Sequence, residues 1–492
     1  MTREETLTAD KRPLWPSAHL RSFRRKPAYR FAVLDWGTRG DIQPYLALGA
    51  ELTRRGHSVV IAARLPYRRL IEGEGLEFFE MEEDGTEGLM RSLAECASLP
   101  DMLRTSTSYS RRITVAQSRS FWEASRGADA VLAKVITTAP ALHIAEGRGV
   151  PIFLTHFDPG FIPTREYCFT DRRIVDRGPR FNRFMAGFLL ASFGLFLADK
   201  INAWRRERGM RADPLGMRIW SGHLSRFPAL AAWSAHFLPR PADWPANVVQ
   251  TGWWILRRTA PVDRRLQDFV EAGPPPVYIG FGSWGVHAKT EVTDTLLAAL
   301  RMTENRAVLL GNTVDDRKDM PPSVFVADDL PHDWLLPRAK AAVHHGGAGT
   351  VGAVITAGIP SIVVPSFDMQ TAWGHRIAEK GIGLALDKRE LDAGRLAAAL
   401  REVETPGFRE RARALGEAAR SEGGAAQAAD EIERRLAEAG ERASIRIVAA
   451  PPMERMARAL RRKAAKADIP DAPEREKAPA AGPMPSDPVE RR

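Results

Sequence analysis

The strongest constraint on this chain is a repeated alternation: a short apolar run, a glycine-bearing loop, then a stretch with helical spacing. RFAVLDW at 30–36 is such a run, GTRGDIQP at 37–44 a loop, and YLALGAELTRRG at 45–56 a helix that stops at Gly56. SVVIAA at 58–63 is a second strand, and VLAKVITTAPALHIAEGRGVPIFLTHF at 131–157 repeats strand, helix and strand. PPVYIGFGS at 275–283 opens a second series, which continues through a helix at 290–302, AVLLG at 307–311, AAVHH at 341–345, a helix at 350–358 and SIVVP at 361–365. Apolar runs joined by short Gly/Pro connections predict parallel strands with helices on both faces. Two series predict two doubly wound α/β domains, which bind ligands at the carboxyl ends of their strands. The expected division is a flexible basic extension at 1–28, domains at 29–240 and 241–440, and a flexible Ala/Pro/Arg-rich tail at 441–492.

A length of 492 residues is ample for a buried core, and the two cysteines cannot make a disulfide framework. The net charge of +10 has the look of a nucleic-acid footprint, but its distribution argues otherwise. Residues 1–30 carry +5 and residues 441–492 carry +4, which leaves the body with about +1. No nucleic-acid partner is expected. The tails leave open a weak contact with an anionic membrane, through a basic helix at 453–466 among others. The apolar stretch Phe184–Ala198 has 15 residues, short of the ~20 that cross a bilayer, and is expected to be a buried helix or a pocket wall. The expected location is cytoplasmic, with peripheral membrane attachment as the open alternative.

Four loops carry candidate chemistry. In GTRGDIQP, Gly37 and Gly40 allow a tight turn that delivers Asp41 to a helix start. The residues alone leave two roles open there: a helix cap made by Asp41 or Thr38, or a reactive carboxylate. FGS at 281–283 follows a strand and is a weak phosphate signal. VHHGGAGTVGAV at 343–354 is the strong one, since its glycines expose backbone N–H groups at a helix N-terminus, which favours an anion. His345 can add a hydrogen bond or a positive charge to a phosphate oxygen. The His344–His345 pair makes a poor metal chelate, because adjacent strand residues point to opposite faces. PSFDMQTAWGH at 365–375 sets Asp368 and Gln370 beside Trp373, which suits sugar hydroxyls or, equally, an N-cap.

Together these loops resemble those of the family 1 nucleotide-sugar glycosyltransferases, in the branch of sterol glucosyltransferases and glycopeptide-antibiotic glycosyltransferases. The matching segments are GTRGDIQPYLALGAELTRRGHSV, LPRPADWPANVVQTGWW, PPVYIGFGS, LPHDWLLPRAKAAVHHGGAGT, AGIPSIVVP and SEGGAAQAADEIERRL, in order over about residues 30–438. The resemblance implies a GT-B fold, two Rossmann-like doubly wound domains facing across a cleft, the first binding the acceptor and the second the donor. It implies an inverting transfer from a UDP- or dTDP-sugar to a hydroxyl of a lipophilic acceptor, with no metal and no other cofactor. By the same resemblance Ser283, His345, Gly347, Ala348, Gly349 and Thr350 surround the donor diphosphate, and Leu330, Pro331 and His332 lie near the base. Asp41 becomes the general base. The acceptor site is expected to draw on His156, Phe157, Asp158, Pro159 and the apolar helix beginning at Phe184.

Two departures stand out. Where the family has adjacent Asp-Gln to read sugar hydroxyls, Gln370 is in register but Met369 replaces the Asp, and Asp368 stands one residue earlier. A site built to hydrogen-bond a hydroxyl discriminates strongly, so this exchange bears on donor choice. NTVDDRKD at 312–319 replaces a Gly-Trp-Gly run. Met369 keeps a non-catalytic nucleotide-sugar-binding partner alive as a rival reading, and the basic segment at 453–466 a lipid glycosyltransferase at a membrane surface.

Overall fold

The computed structural model describes residues 15, 20, 23–35, 37–82, 99–134, 137–170, 173–212, 227–258, 261–281, 289–311, 320–366 and 368–449. Two parallel sheets organise it. The first has seven strands in the order β3-β2-β1-β4-β5-β8-β9. These are β1 (Arg30–Leu34), β2 (Ser58–Ala63), β3 (Glu77–Glu80), β4 (Ala130–Lys134), β5 (Ile152–His156), β8 (Ala229–Ala231) and β9 (Val248–Gln250). The second has six in the order β12-β11-β10-β13-β14-β15. Its strands are β10 (Val277–Gly280), β11 (Ala307–Leu310), β12 (Val324–Ala327), β13 (Ala341–His344), β14 (Ser361–Val363) and β15 (Gly383–Ala385). A short antiparallel ribbon, β6 (Cys168–Thr170) with β7 (Arg173–Val175), stands apart.

The apolar runs become central strands because helices cover both faces and leave no polar side to alternate with. β4 and β5 are buried at every position. Strand order reverses between β1 and β4 in the first sheet and between β10 and β13 in the second. The chain crosses to opposite faces at each reversal, which opens a crevice at the strands' carboxyl ends.

The helix α1 (Arg39–Arg54) begins inside the segment read as a loop. Thr38 is its extended N-cap, and Asp41, third in the helix, accepts the Thr38 N–H at 2.7 Å. Pro44 has no amide to give the Gly40 carbonyl one turn back. That carbonyl lies 3.5 Å from where a Cβ on Gly349 would stand, so the starts of two helices from different sheets meet there.

Several expectations need correction. The first sheet extends through β9 at Val248–Gln250, past the boundary expected at residue 240. The last helix, Ala425–Ala449, returns to the first half: Asp430 and Glu433 bind Arg55 at 2.6 and 2.8 Å, and Glu433 binds His57 at 2.9 Å. Within the extension expected to be flexible, Trp15 and Phe23 are buried in the core. The Trp15 indole donates to the Ile152 carbonyl at 2.8 Å. The apolar stretch from Phe184 lies in the helix Pro179–Glu207, yet Phe184 and Phe188 are exposed and stack on each other, so this part is not core. Leu197, Ile201 and Trp204 further along are buried. Among the described residues no helix is long and apolar enough to cross a membrane.

An aromatic seam joins the two halves. Trp253 and Trp373 meet edge to face at 6.0 Å, with Phe237 at 5.7 Å from Trp373. Gly352 leaves the Trp253 ring its place, since a Cβ there would lie 2.6 Å from it.

Candidate active site

A cleft of about 410 Å³ opens where the two crevices face each other. From the first half it is lined by Thr38, Arg39, Gly40, Asp41, Gln43, Lys134, Phe157 and Asp158. The second half contributes Tyr278, Leu330, His332, residues 345–350, Met369, Gln370 and Trp373. Most of these lie at a strand's carboxyl end or in the first turns of a helix, while Tyr278 lies within β10 and Trp373 midway along the helix Asp368–Glu379.

On the glycine-rich loop of the second half, β13 ends at His344, and the helix Ala348–Ala357 starts four residues later. His344 points into the core, with its Nε2 3.2 Å from the Ser361 hydroxyl and its Nδ1 accepting the Gly346 N–H at 3.1 Å. His345, on the opposite side, lines the cleft. Burial drives its pKa down to about 4 despite a hydrogen bond to the Gly280 backbone, so at neutral pH it offers a hydrogen bond and not a charge. Its Nδ1 is buried without a hydrogen-bond partner among the described residues. Gly346 sits at φ 86°, and a Cβ there would lie 2.8 Å from the Gln370 carbonyl oxygen. A Cβ on Gly347 would lie 2.4 Å from the His345 ring. Gly346 is therefore required for the turn that aims the helix N-terminus into the cleft, and Gly347 leaves the His345 ring its place.

Beside this loop, the His332 Nε2 and the Tyr278 hydroxyl are 2.8 Å apart. Burial, reinforced by Arg39 and Arg258, lowers the His332 pKa to about 4. Arg39 of α1 reaches across to Asp329, which Arg258 also holds at 2.6 and 2.9 Å. Burial works against ionising Asp329, but the two arginines prevail and bring it to about 2.

On the facing side, the Asp41 Oδ2 accepts the Thr38 amide at 2.7 Å and its hydroxyl at 3.1 Å, while Oδ1 accepts Lys134. The cap and the cleft-facing carboxylate are thus one and the same residue. Asp158, half-buried at the end of β5, accepts the Gly160 N–H at 3.2 Å. Burial raises its pKa to about 6, against the pull of Lys134 and Gly160 and with a small push from Asp41. A carboxyl raised above its unfolded value lends stability at acid pH that is lost as pH climbs through about 4–6. Asp158→Asn is therefore expected to raise the thermal midpoint at pH 7 by about 1–2 °C and to lose that advantage near pH 4. Differential scanning fluorimetry at both pH values checks this.

Of the residues expected from sequence, Asp41, Leu330, His332, His345, Gly347, Ala348, Gly349, Thr350, Gln370, Phe157 and Asp158 line one cleft. His156 does not. Side chains alternate across β5, so Phe157 faces the cleft while His156 is 4% exposed, with burial lowering its pKa to about 4. Phe184, at 62% exposed, is also not among the lining residues. Ser283 lies outside the described residues, and the Asp368 position is described only as the first residue of the helix Asp368–Glu379. Gln370 is 2% exposed, and its Oε1 accepts the Ser366 N–H at 2.9 Å, which commits half of its amide to its own loop. The Met369 thioether lies 3.7 Å from where a Cβ on Gly160 would stand, facing the first half across the cleft. Arg39, Tyr278 and Lys134 were missed from sequence. For Lys134 there was a signal: a lone cation closing the apolar run AVLAK.

Known proteins agree with this layout. Residues 31–165 match the glycosyltransferase family 28 N-terminal domain, and residues 295–436 match the erythromycin biosynthesis protein CIII-like C-terminal domain. A sterol 3-beta-glucosyltransferase of Arabidopsis thaliana is 32% identical over 435 residues, covering 84% of this chain and 69% of that one. A sterol 3-beta-glucosyltransferase of Saccharomyces cerevisiae is 31% identical over 82% of this chain, which spans only 34% of its length. Among solved structures, the calicheamicin glycosyltransferase CalG4 superposes with a TM-score of 0.62 at 19% identity, covering 84% of this chain and 99% of that one. The glycosyltransferase VinC in complex with dTDP gives 0.61 at 20% identity, covering 84% and 100%. Both structures share the arrangement of two parallel-sheet halves.

Proposed function

Because this chain belongs to the family 1 nucleotide-sugar glycosyltransferases of GT-B fold, we propose that it transfers a hexosyl or deoxyhexosyl group from a UDP- or dTDP-sugar to a hydroxyl of a lipophilic acceptor, with a sterol as the first candidate and a polyketide or other natural-product aglycone as the next. The observation that carries this reading is the meeting of two groups in one cleft: the Asp41 carboxylate from the first half and the glycine-lined helix N-terminus at Ala348 from the second.

The chemistry divides between the halves. Backbone N–H groups at Ala348, Gly349 and Thr350 and the helix dipole hold the donor diphosphate and stabilise the charge it gains on leaving. His345 adds a hydrogen bond, Leu330 and His332 bound the base, and Ser283 and Asp368 are assigned to the donor by sequence position. Across the cleft, Asp41 takes the proton of the acceptor hydroxyl as its oxygen bonds to the anomeric carbon and the bond to the diphosphate breaks. Attack opposite the leaving group inverts the anomeric centre. In this reading hydrogen bonds and the helix dipole hold the diphosphate, and no metal ion is assigned a part. Phe157 and Asp158 are the acceptor contacts that the geometry favours; Phe157 offers an apolar face and Asp158 a polar anchor.

The sterol assignment rests on the curated relatives, and the glucosyl donor on the same source. Incubation with UDP-glucose or dTDP-glucose and a panel of sterols and macrolide aglycones, read by mass spectrometry, tests it: an acceptor gaining one hexosyl mass is expected. UDP binding without transfer or donor hydrolysis across the panel sinks the proposal in favour of a binding-only protein.

A further inference from the structure

We infer that Lys134 is a positioning residue for this reaction, its ammonium the charge partner that aims the Asp41 carboxylate into the cleft, an inference that rests on Asp41 being the base proposed above. Lys134 ends β4, where the strand reaches the cleft, and it is 9% exposed. Its Nζ donates to the Asp41 Oδ1. Its own carbonyl accepts the hydroxyls of Thr137 at 3.0 Å and Thr138 at 2.9 Å, which ties the strand end to the start of the helix Thr138–Arg148.

A buried cation is costly unless paired, and here it pairs with Asp41 while two further carboxylates attract it from farther off. Asp35 at the end of β1, Asp41 in the first turn of α1 and Asp158 beyond β5 all face this one ammonium. Burial disfavours the charged lysine, yet Asp41 and then Asp35 outweigh it and move its pKa up. Lys134 therefore stays charged wherever the carboxylates titrate. The hydroxyls of Tyr45 and Tyr67 also interact with Asp41, with Arg39 beside the latter. Without Lys134 the carboxylates crowd together around an uncompensated pocket, and like charges oppose ionisation.

Geometry agrees with this role. A carboxylate offers about four acceptor sites. Thr38 takes two on Oδ2 and Lys134 one on Oδ1, which leaves one for the acceptor's hydroxyl. The lysine thereby sets which oxygen receives the proton.

The test is the pH profile of kcat/KM with UDP-glucose and cholesterol. In Lys134→Met the acid limb is expected to move up by about 1–3 pH units, since Asp41 has lost its neighbouring cation. In Lys134→Arg, which keeps the charge, it stays within about half a unit. A role in packing alone lowers kcat at every pH and leaves the limb in place, and that result in a folded Lys134→Met overturns the inference. Should that variant not fold, Lys134→Met/Asp158→Asn removes one carboxylate with the amine, and the same upward shift is expected. Titration of the Asp41 carboxyl carbon by NMR, assigned with Asp41→Asn, reads the midpoint without turnover, and an unchanged midpoint again overturns the inference. If Asp41→Asn keeps full turnover, it is the reading of Asp41 as base that has failed.

Discussion

Asp41→Asn is expected to lower kcat by about 10²–10⁴ while leaving the dissociation constant for UDP unchanged. An amide still fits the first turn of α1, and its oxygen can still accept the Thr38 N–H that Asp41 accepts now at 2.7 Å. What it cannot do is take a proton from the acceptor. The loop proposed to hold the diphosphate stands on the other sheet, after β13, so its affinity has no reason to change. Calorimetry with UDP beside steady-state turnover separates the two. A fall in both means that the residue chiefly holds the helix start together, and full turnover means that another group takes the proton.

The second large effect is expected from Gly346→Ala. Its φ of 86° lies in the left-handed region, where a Cβ costs about 1–2 kcal/mol. The new methyl would also stand 2.8 Å from both the Gln370 carbonyl oxygen and a Val363 methyl, so the turn has to open. Opening it moves His345 and swings the N-terminus at Ala348 off its aim. UDP affinity is expected to fall about tenfold or more, given about 1.4 kcal/mol per factor of ten, with the thermal midpoint falling as well. Both are read by calorimetry and fluorimetry on one preparation. A lowered midpoint with unchanged UDP affinity contradicts the assignment of this loop to the diphosphate.

Much of this was legible in the residues. Apolar runs ending in glycine give the strand ends, and strand ends in a doubly wound sheet are where ligands bind. The opposite facing of His344 and His345 follows from strand geometry alone. Other features were not legible, for physical reasons. His156 and Phe157 are neighbours, and only the sheet's pleat decides which of them faces the cleft. β9 is three residues long and pairs with β8 through contacts that no local pattern announces. The return of the last helix to Arg55 and His57 is a contact between residues more than 370 apart in sequence. Lys134 reads as a polar end to an apolar strand until the fold places Asp35, Asp41 and Asp158 around it.

The most direct test of the whole account is the anomeric configuration of the product made from UDP-glucose, whose sugar is α-linked, and a sterol acceptor, determined by proton NMR. Attack by a hydroxyl activated at Asp41, on the face opposite a diphosphate held at the Ala348 helix, predicts a β-linked glucoside. An α-linked product would contradict that arrangement of base and leaving group.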